Sequence, residues 1–286
     1  MSVRIKEQVT QAGPLIEVDF FPVFSDSGRR ISDGRRKSSE ARQKYNRQQS
    51  AKQLVMLTNA NFDKSDYIMT YTYHVSADVD GEKTASRDFQ NFIRRLKTEI
   101  AKQTKKSTAE HKRNPTEQTK ARLKRLQKPL KYLYVVEKTV YKTGAKVGQM
   151  RLHIHAFVSG VLSRDEMEKK WEGRTDIQRF NPDAYGPESF ARYMAKDGAG
   201  IRKFKGSKNL VKPTVRESKK TTPKNYYKKT TDKEYWERRY KGYKFIRCNT
   251  RMNPYNGYWY TSVVMYKSPT APPWEFEDFN KFAFEY

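Results

Sequence analysis

The clearest alternation of apolar and polar positions runs from Tyr67 to His74, Tyr-Ile-Met-Thr-Tyr-Thr-Tyr-His, and predicts a strand with Met69, Tyr71 and Tyr73 on one face. After a polar turn around Asp80-Gly81 the period changes. Phe89, Phe92, Ile93, Leu96 and Ile100 recur at three- and four-residue spacing, the mark of an amphipathic helix laid on a sheet. Its outer face carries Arg94, Arg95 and Lys97. Two further β-rich runs, Tyr132 to Val140 and Met150 to Val158, flank a turn containing Gly144 and Gly148 and predict an antiparallel hairpin. Ser163 with Glu166 then reads as a capping box opening a helix toward Trp171. In Gly186-Pro187-Glu188, proline takes the first position of another helix. Phe190 and Met194 give that helix a buried stripe, and Gly198 stops it.

The flanks have a different texture. Residues 1–62 contain a short apolar segment, Leu15 to Phe24, broken by Pro22, and then Gly28-Arg-Arg, Gly34-Arg-Arg-Lys and Arg42 to Lys52, which together read as a basic arm. Within it, Ala41, Tyr45, Leu54, Val55 and Leu57 outline part of a helix. Residues 101–128 are polar and basic, interrupted at Asn114-Pro115, with a second helix expected from Thr116 to Gln127; it is either a solvated surface or a DNA-tracking element. Beyond Pro213 come Lys, Thr, Tyr and Pro, a short helix capped in Thr231-Asp-Lys-Glu234 and ending near Gly242, an Asn256-Gly257 turn, a strand near Tyr258 to Tyr266, and an acidic aromatic tail. The expected division is therefore 1–62, 63–215 and 216–286.

Composition changes the picture through charge. The 286 residues hold 59 Lys plus Arg against 32 Asp plus Glu, a formal +27, together with 19 Tyr, 15 Phe and 4 Trp. Such an excess exceeds what solubility requires. Cations collect phosphates by counterion release and aromatic faces stack on unpaired bases, so single-stranded nucleic acid is the expected partner. No run approaches the roughly 18 apolar residues of a membrane span, so a soluble, unsecreted protein without membrane contact is expected. The one cysteine, Cys248, excludes an internal disulfide and a thiolate metal cluster.

Two of only four histidines, His153 and His155, sit in a strand where Leu152, Ile154, Ala156 and Val158 point the other way. Both imidazoles therefore share one face. If the hairpin turns about residue 145, Glu137 lies opposite His153; if about 146, it lies opposite His155. Either register brings a carboxylate to the histidines' face and makes a His, His, Glu site for Mg²⁺ or Mn²⁺. The alternative is a hydrogen-bonded histidine pair without metal. On the Pro187 helix, Tyr193 and Lys196 are neighbours three residues apart, so a nucleophilic phenol and an activating or phosphate-binding cation can meet. Taken without the hairpin, Tyr193 packing beside Phe190 and Met194 is the simpler account.

The order of Met69-Thr-Tyr-Thr-Tyr73, Glu137, His153-Ile-His155 and Tyr193-Met-Ala-Lys196 resembles the motifs of HUH endonucleases, specifically rolling-circle replication initiators of phages and plasmids. The trailing Gly206-Ser-Lys-Asn-Leu-Val-Lys-Pro213 is similar to the initiators of small bacterial phages and plasmids. The resemblance covers residues 65–213. It implies an α+β fold, a ferredoxin-like or RRM-like sandwich with the histidine strand central in an antiparallel sheet. It also implies a nicking and joining enzyme in a bacterial cytoplasm, with Mg²⁺ or Mn²⁺ held by His153, His155 and Glu137 and Tyr193 becoming linked to a 5′ phosphate. Positions four before and after Tyr193 are Ser189 and Asp197, so a single-tyrosine enzyme is expected. No phosphate-binding G-x-x-x-x-G-K-[ST] loop occurs, so unwinding falls to a host helicase and extension to a host DNA polymerase.

Candidate contacts to single-stranded DNA or an origin hairpin are Arg94, Arg95, Lys203, Lys205, Lys208, Tyr226, Tyr227, Arg238 and Arg239. The C-terminal aromatics either stack on bases or fill a small core, the latter favoured for Trp236 and Tyr240. A mobilisation relaxase or single-tyrosine transposase shares this chemistry. A non-catalytic single-strand binder is the reading from another class.

Overall fold

The computed structural model describes residues 3–24, 40–73, 79–140, 147–148, 150–180, 204–218, 225–254 and 256–267. In chain order the strands are β1 (Val3–Ala12), β2 (Leu15–Phe24), β3 (Tyr67–Tyr73), β4 (Tyr132–Val140), β5 (Met150–Val158), β6 (Thr175–Arg179), β7 (Lys205–Gly206), β8 (Thr214–Glu217), β9 (Lys244–Met252) and β10 (Trp259–Tyr266). The helices are α1 (Glu40–Asn61), α2 (Val79–Arg113), α3 (Glu117–Leu126), α4 (Arg164–Glu168) and α5 (Lys233–Arg239). They form an α+β protein with two antiparallel sheets, divided into two compact units. Among the described residues no helix is long and apolar enough to cross a membrane.

The unit spanning Lys44–Val211 is built on the sheet β6-β3-β5-β4-β7, with β5 in the middle. Period-two alternation sends Met69, Tyr71, Tyr134, Leu152, Ile154 and Ala156 to one face, where they form a core with Phe89, Phe92, Ile93 and Leu96 of α2. Burial of that apolar stripe, rather than helix propensity, holds α2 on the sheet. Phe89 packs on Tyr134 at 4.2 Å between ring centroids and Tyr71 on Trp171 at 4.2 Å. On the opposite face Phe157 stacks on Phe62 at 5.5 Å and meets Phe180 edge-on at 5.7 Å. Asn61 closes this end of the unit. Its Oδ1 accepts from Val211 N at 2.8 Å and from Lys131 Nζ at 3.0 Å. Gly160 is fixed by a close approach, since a Cβ there would lie 1.9 Å from the Ser65 carbonyl oxygen. Its N–H donates to buried Asp66 at 2.9 Å.

The other unit, Met1–Gln43 with Lys212–Tyr286, carries the sheet β8-β1-β2-β10-β9. The expected N-terminal arm is thereby corrected. Residues 3–24 are a hairpin, Val9 opposite Val18 and Glu7 opposite Phe20, whose second strand pairs with β10 near the other end of the chain. The expected boundaries at 62 and 215 differ accordingly, because strands from both ends share one sheet. Its core gathers Val18, Phe20, Tyr226, Trp236, Tyr240, Phe245, Val263 and Met265. Asp232 caps α5 by accepting from Tyr235 N at 3.0 Å, and the Trp236 indole N–H donates to Lys229 O at 2.7 Å. A buried polar group joins β1 to α5. Glu7 accepts from the Tyr240 hydroxyl at 2.7 Å and from the Arg239 guanidinium.

Candidate metal and catalytic site on the histidine strand

Three strands position the site. β5 pairs with β3 through Thr70 opposite His155 and Thr72 opposite His153, and with β4 through Glu137 opposite His153 and Val135 opposite His155. Of the two registers open to the sequence, the one with Glu137 opposite His153 is present. In antiparallel pairing, directly opposed residues point to the same side. Glu137, His153, His155, Thr70 and Thr72 therefore share the face opposite α2.

From this register the Glu137 carboxylate reaches diagonally. His155 Nε2 lies 2.5 Å from Glu137 Oε2, while His155 Nδ1 lies 3.1 Å from Thr70 Oγ1. The His153 and His155 rings lie nearly parallel, 6.0 Å between centroids. Exposures of 6% for Glu137, 9% for His153 and 5% for His155 put a carboxylate largely out of water, where it needs a donor or a cation. In the present arrangement His155 donates through Nε2–H, and its Nδ1 accepts from the Thr70 hydroxyl. A hydroxyl both donates and accepts, so Thr70 also suits the other tautomer, in which Nδ1–H donates and Nε2 offers a lone pair to a metal.

Two nitrogens and one carboxylate fit Mg²⁺ or Mn²⁺ in kind and in placement on one face. Among the described residues, however, no group of three or more His, Cys, Asp or Glu is already arranged to hold an ion. The Glu137–His155 hydrogen bond is the contact that an ion would replace.

The strand tyrosines are turned away from this site. Tyr67, Tyr71 and Tyr134 lie on the α2 face, and burial raises the Tyr71 phenol well above the ordinary tyrosine range and Tyr67 less so. Phenols held protonated in a core are poor nucleophiles. Tyr193 and Lys196, the residues expected to attack and to assist, lie outside the described residues, as does Lys203.

The expected DNA contacts divide. Arg94 is exposed and donates to Asn91 at 2.7 Å; Lys208 and Arg238 are exposed; Lys205, also exposed, donates to Ser86 at 2.9 Å. Arg95 is engaged inside its own unit, its Nε donating to Lys170 O at 2.8 Å. Tyr226 does not present a stacking face: it is 4% exposed, its hydroxyl donates to Trp259 O at 2.7 Å, and its ring lies on Phe20. Tyr227 is half-buried with its ring parallel to Trp259 at 5.1 Å. Arg239 is held by Glu7. The physical reason is common to all three. β1, β2, β9 and β10 need a covering layer, and the aromatic segment supplies it.

Thr70 was not singled out by the sequence; the signal available was its period-two phase in the strand, which puts it on the face away from Tyr71. A scan against protein-family models, a search of curated proteins and a search of solved structures each found no match.

Proposed function

We propose that this chain is a metal-dependent nickase and strand transferase for single-stranded DNA that starts rolling-circle replication, on a ferredoxin-like or RRM-like sheet of the HUH kind. One observation carries the reading: Glu137, His153 and His155 meet on one face of the three central strands, with the carboxylate bonded to an imidazole. A bound Mg²⁺ or Mn²⁺ would supply Lewis-acid polarisation of the scissile phosphate. Glu137, His153 and His155 would hold it, and the Thr70 hydroxyl would keep the His155 ring in its orientation through either tautomer. The Tyr193 oxygen attacks phosphorus as its proton leaves. The bond from phosphorus to the 3′ oxygen breaks, and that oxygen takes up one proton from solvent, balancing the one the phenol gave up, which leaves a free 3′ hydroxyl and a 5′-phosphotyrosine. Lys196 stabilises the phenolate or grips the phosphate. The covalent link conserves the phosphodiester, so a later 3′ hydroxyl can reverse the step and seal a circle. A host polymerase extends the first 3′ end, and a host helicase opens the duplex.

The direct Glu137–His155 hydrogen bond also favours a second reading, a non-catalytic single-strand binder whose buried histidines serve only the sheet. Single-stranded fragments tiled across the replicon that carries the gene, incubated with Mn²⁺, separate the two. The expected result is a covalent adduct with one fragment, lost in Tyr193→Phe and in His153→Ala while DNA affinity persists. Tight binding to the tiles without an adduct on any of them would sink the enzyme reading.

A further inference from the structure

Residues 101–128 form a helical hairpin that adds almost nothing to the core. Beyond Ile100, the last apolar α2 residue packed against the core, thirteen more residues carry the helix about 20 Å further. α3 then folds back along it, and Leu126 re-enters the core. Of these 28 residues only Ser107 and Leu126 are buried. Polar contacts fix the shape instead. Thr116 and Thr119 make a reciprocal cap at the start of α3, His111 Nδ1 lies 2.7 Å from Thr119 Oγ1, and Arg122 meets Glu110 at 3.7 Å. Such contacts order a surface without hiding apolar area.

What the hairpin presents is charge. It holds ten Lys and Arg, namely 102, 105, 106, 112, 113, 120, 122, 124, 125 and 128, against two acids, Glu110 and Glu117. Nine of the ten bases are exposed, Arg122 being half-buried. Both acids are engaged within the hairpin, Glu110 with Arg122 and Glu117 with Lys120. There is no Phe, Tyr or Trp in the segment, so it has no aromatic platform on which an unpaired base could stack. A rigid cationic rod without aromatics reads phosphate alone. Duplex DNA is the polyanion it matches, with one charge per about 1.7 Å of axis and a stiffness that keeps successive phosphates in reach.

We infer that the α2–α3 hairpin is a docking surface for the phosphate backbone of double-stranded DNA, independent of sequence and separate from the histidine face. On the reading proposed above, which supplies DNA as the substrate, it grips the duplex beside the strand to be cut. The binding itself does not depend on cleavage.

The test replaces Lys102, Lys105, Lys106, Lys112, Lys120 and Lys124 with Gln, which keeps helix propensity. A control replaces the same six with Arg. Fluorescence anisotropy measures binding of a random-sequence duplex of about 30 base pairs, and of an unpaired strand of equal length, across a salt series. The Gln variant is expected to lose at least about tenfold in duplex affinity, with a log–log salt slope shallower by about three or more. Its strand affinity should fall less, and the Arg control should bind duplex like the parent. Adduct formation on short unpaired fragments should be unchanged. A folded Gln variant with the parental duplex affinity and slope overturns the inference, as does an equal loss on duplex and strand. Absence of adduct in the parent with the slope change intact removes the nickase reading and leaves this one standing.

Discussion

Arg239 tests how burial reassigns a basic residue from partner binding to folding. Its side chain is 14% exposed and its guanidinium contacts Glu7, whose side chain is 1% exposed and also accepts from Tyr240 at 2.7 Å. Burial, and then the carboxylate that accepts its hydrogen, hold the Tyr240 phenol far above its ordinary range, so it stays a donor. Arg239→Ala keeps that donor but leaves a buried carboxylate without its cation. Removing one partner of a buried ion pair costs about 3–5 kcal/mol. With a urea slope of about 2 kcal/mol per molar, the midpoint of this unit should fall by about 1.5–2.5 M. Urea unfolding followed by tryptophan emission reads it, because Trp236 is fully buried beside the network. Exposed Arg238→Ala is the control, expected within about 0.5 kcal/mol of the parent. Coincident midpoints for the two variants would refute the reasoning. So would an unshifted Arg239→Ala midpoint with a DNA salt slope shallower by about one, the signature of a lost phosphate contact.

Three further outcomes are expected. On the nickase function proposed above, Thr70→Val should lower adduct formation about 10–100-fold and raise the Mn²⁺ concentration needed for half-maximal rate, with Thr70→Ser restoring both; a Val variant with the parental Mn²⁺ dependence argues against ring positioning. Burial pushes the Cys248 thiol up to about 11, so iodoacetamide at about pH 8 should label the unfolded chain far faster than the native one, and equal rates count against it. Burial works to raise the Glu166 pKa, but hydrogen bonds from Ser163 N, Ser163 Oγ and Gln103 lower it on balance. Its stabilising contribution is therefore present above the ordinary glutamate value of 4.5 and fades as pH falls through the depressed one. The stability gap between the parent and Glu166→Gln should narrow on acidification, a trend that urea titrations at several pH values would detect or deny.

Where local chemistry decides structure, the chain was readable. The strands at 132–140 and 150–158 fall where β-branched alternation puts them, and the face shared by His153 and His155 follows from period two alone, whereas Glu137 joins it only through the pairing register. The exact register required the turn, which composition left open between two centres. Ser163 announced its helix because side-chain caps act within a few residues, and the break at Asn114-Pro115 marked where α3 begins. The N-terminal hairpin was hidden for a physical reason. In β1 the inward phase reads Ile5, Glu7, Val9, Gln11, and the charge at Glu7 breaks the apolar rhythm; only its distant partners Arg239 and Tyr240 make that position tolerable. β9, Lys-Phe-Ile-Arg-Cys-Asn-Thr-Arg-Met, is likewise too polar to stand out, and its inward face is completed by β10. Tyr226 looked like a stacking residue because sequence shows an aromatic side chain but not what covers it.

The sheet that unites the two ends of the chain also sets a schedule for its synthesis. Leu15 lies in register opposite Tyr266, about 250 positions later, so the first hairpin leaves the ribosome long before β10 exists. At about 5–20 residues per second, Val18 and Phe20 wait tens of seconds for their cover. Throughout that interval a nascent polypeptide displays an uncapped apolar ribbon, a natural client for a ribosome-associated chaperone.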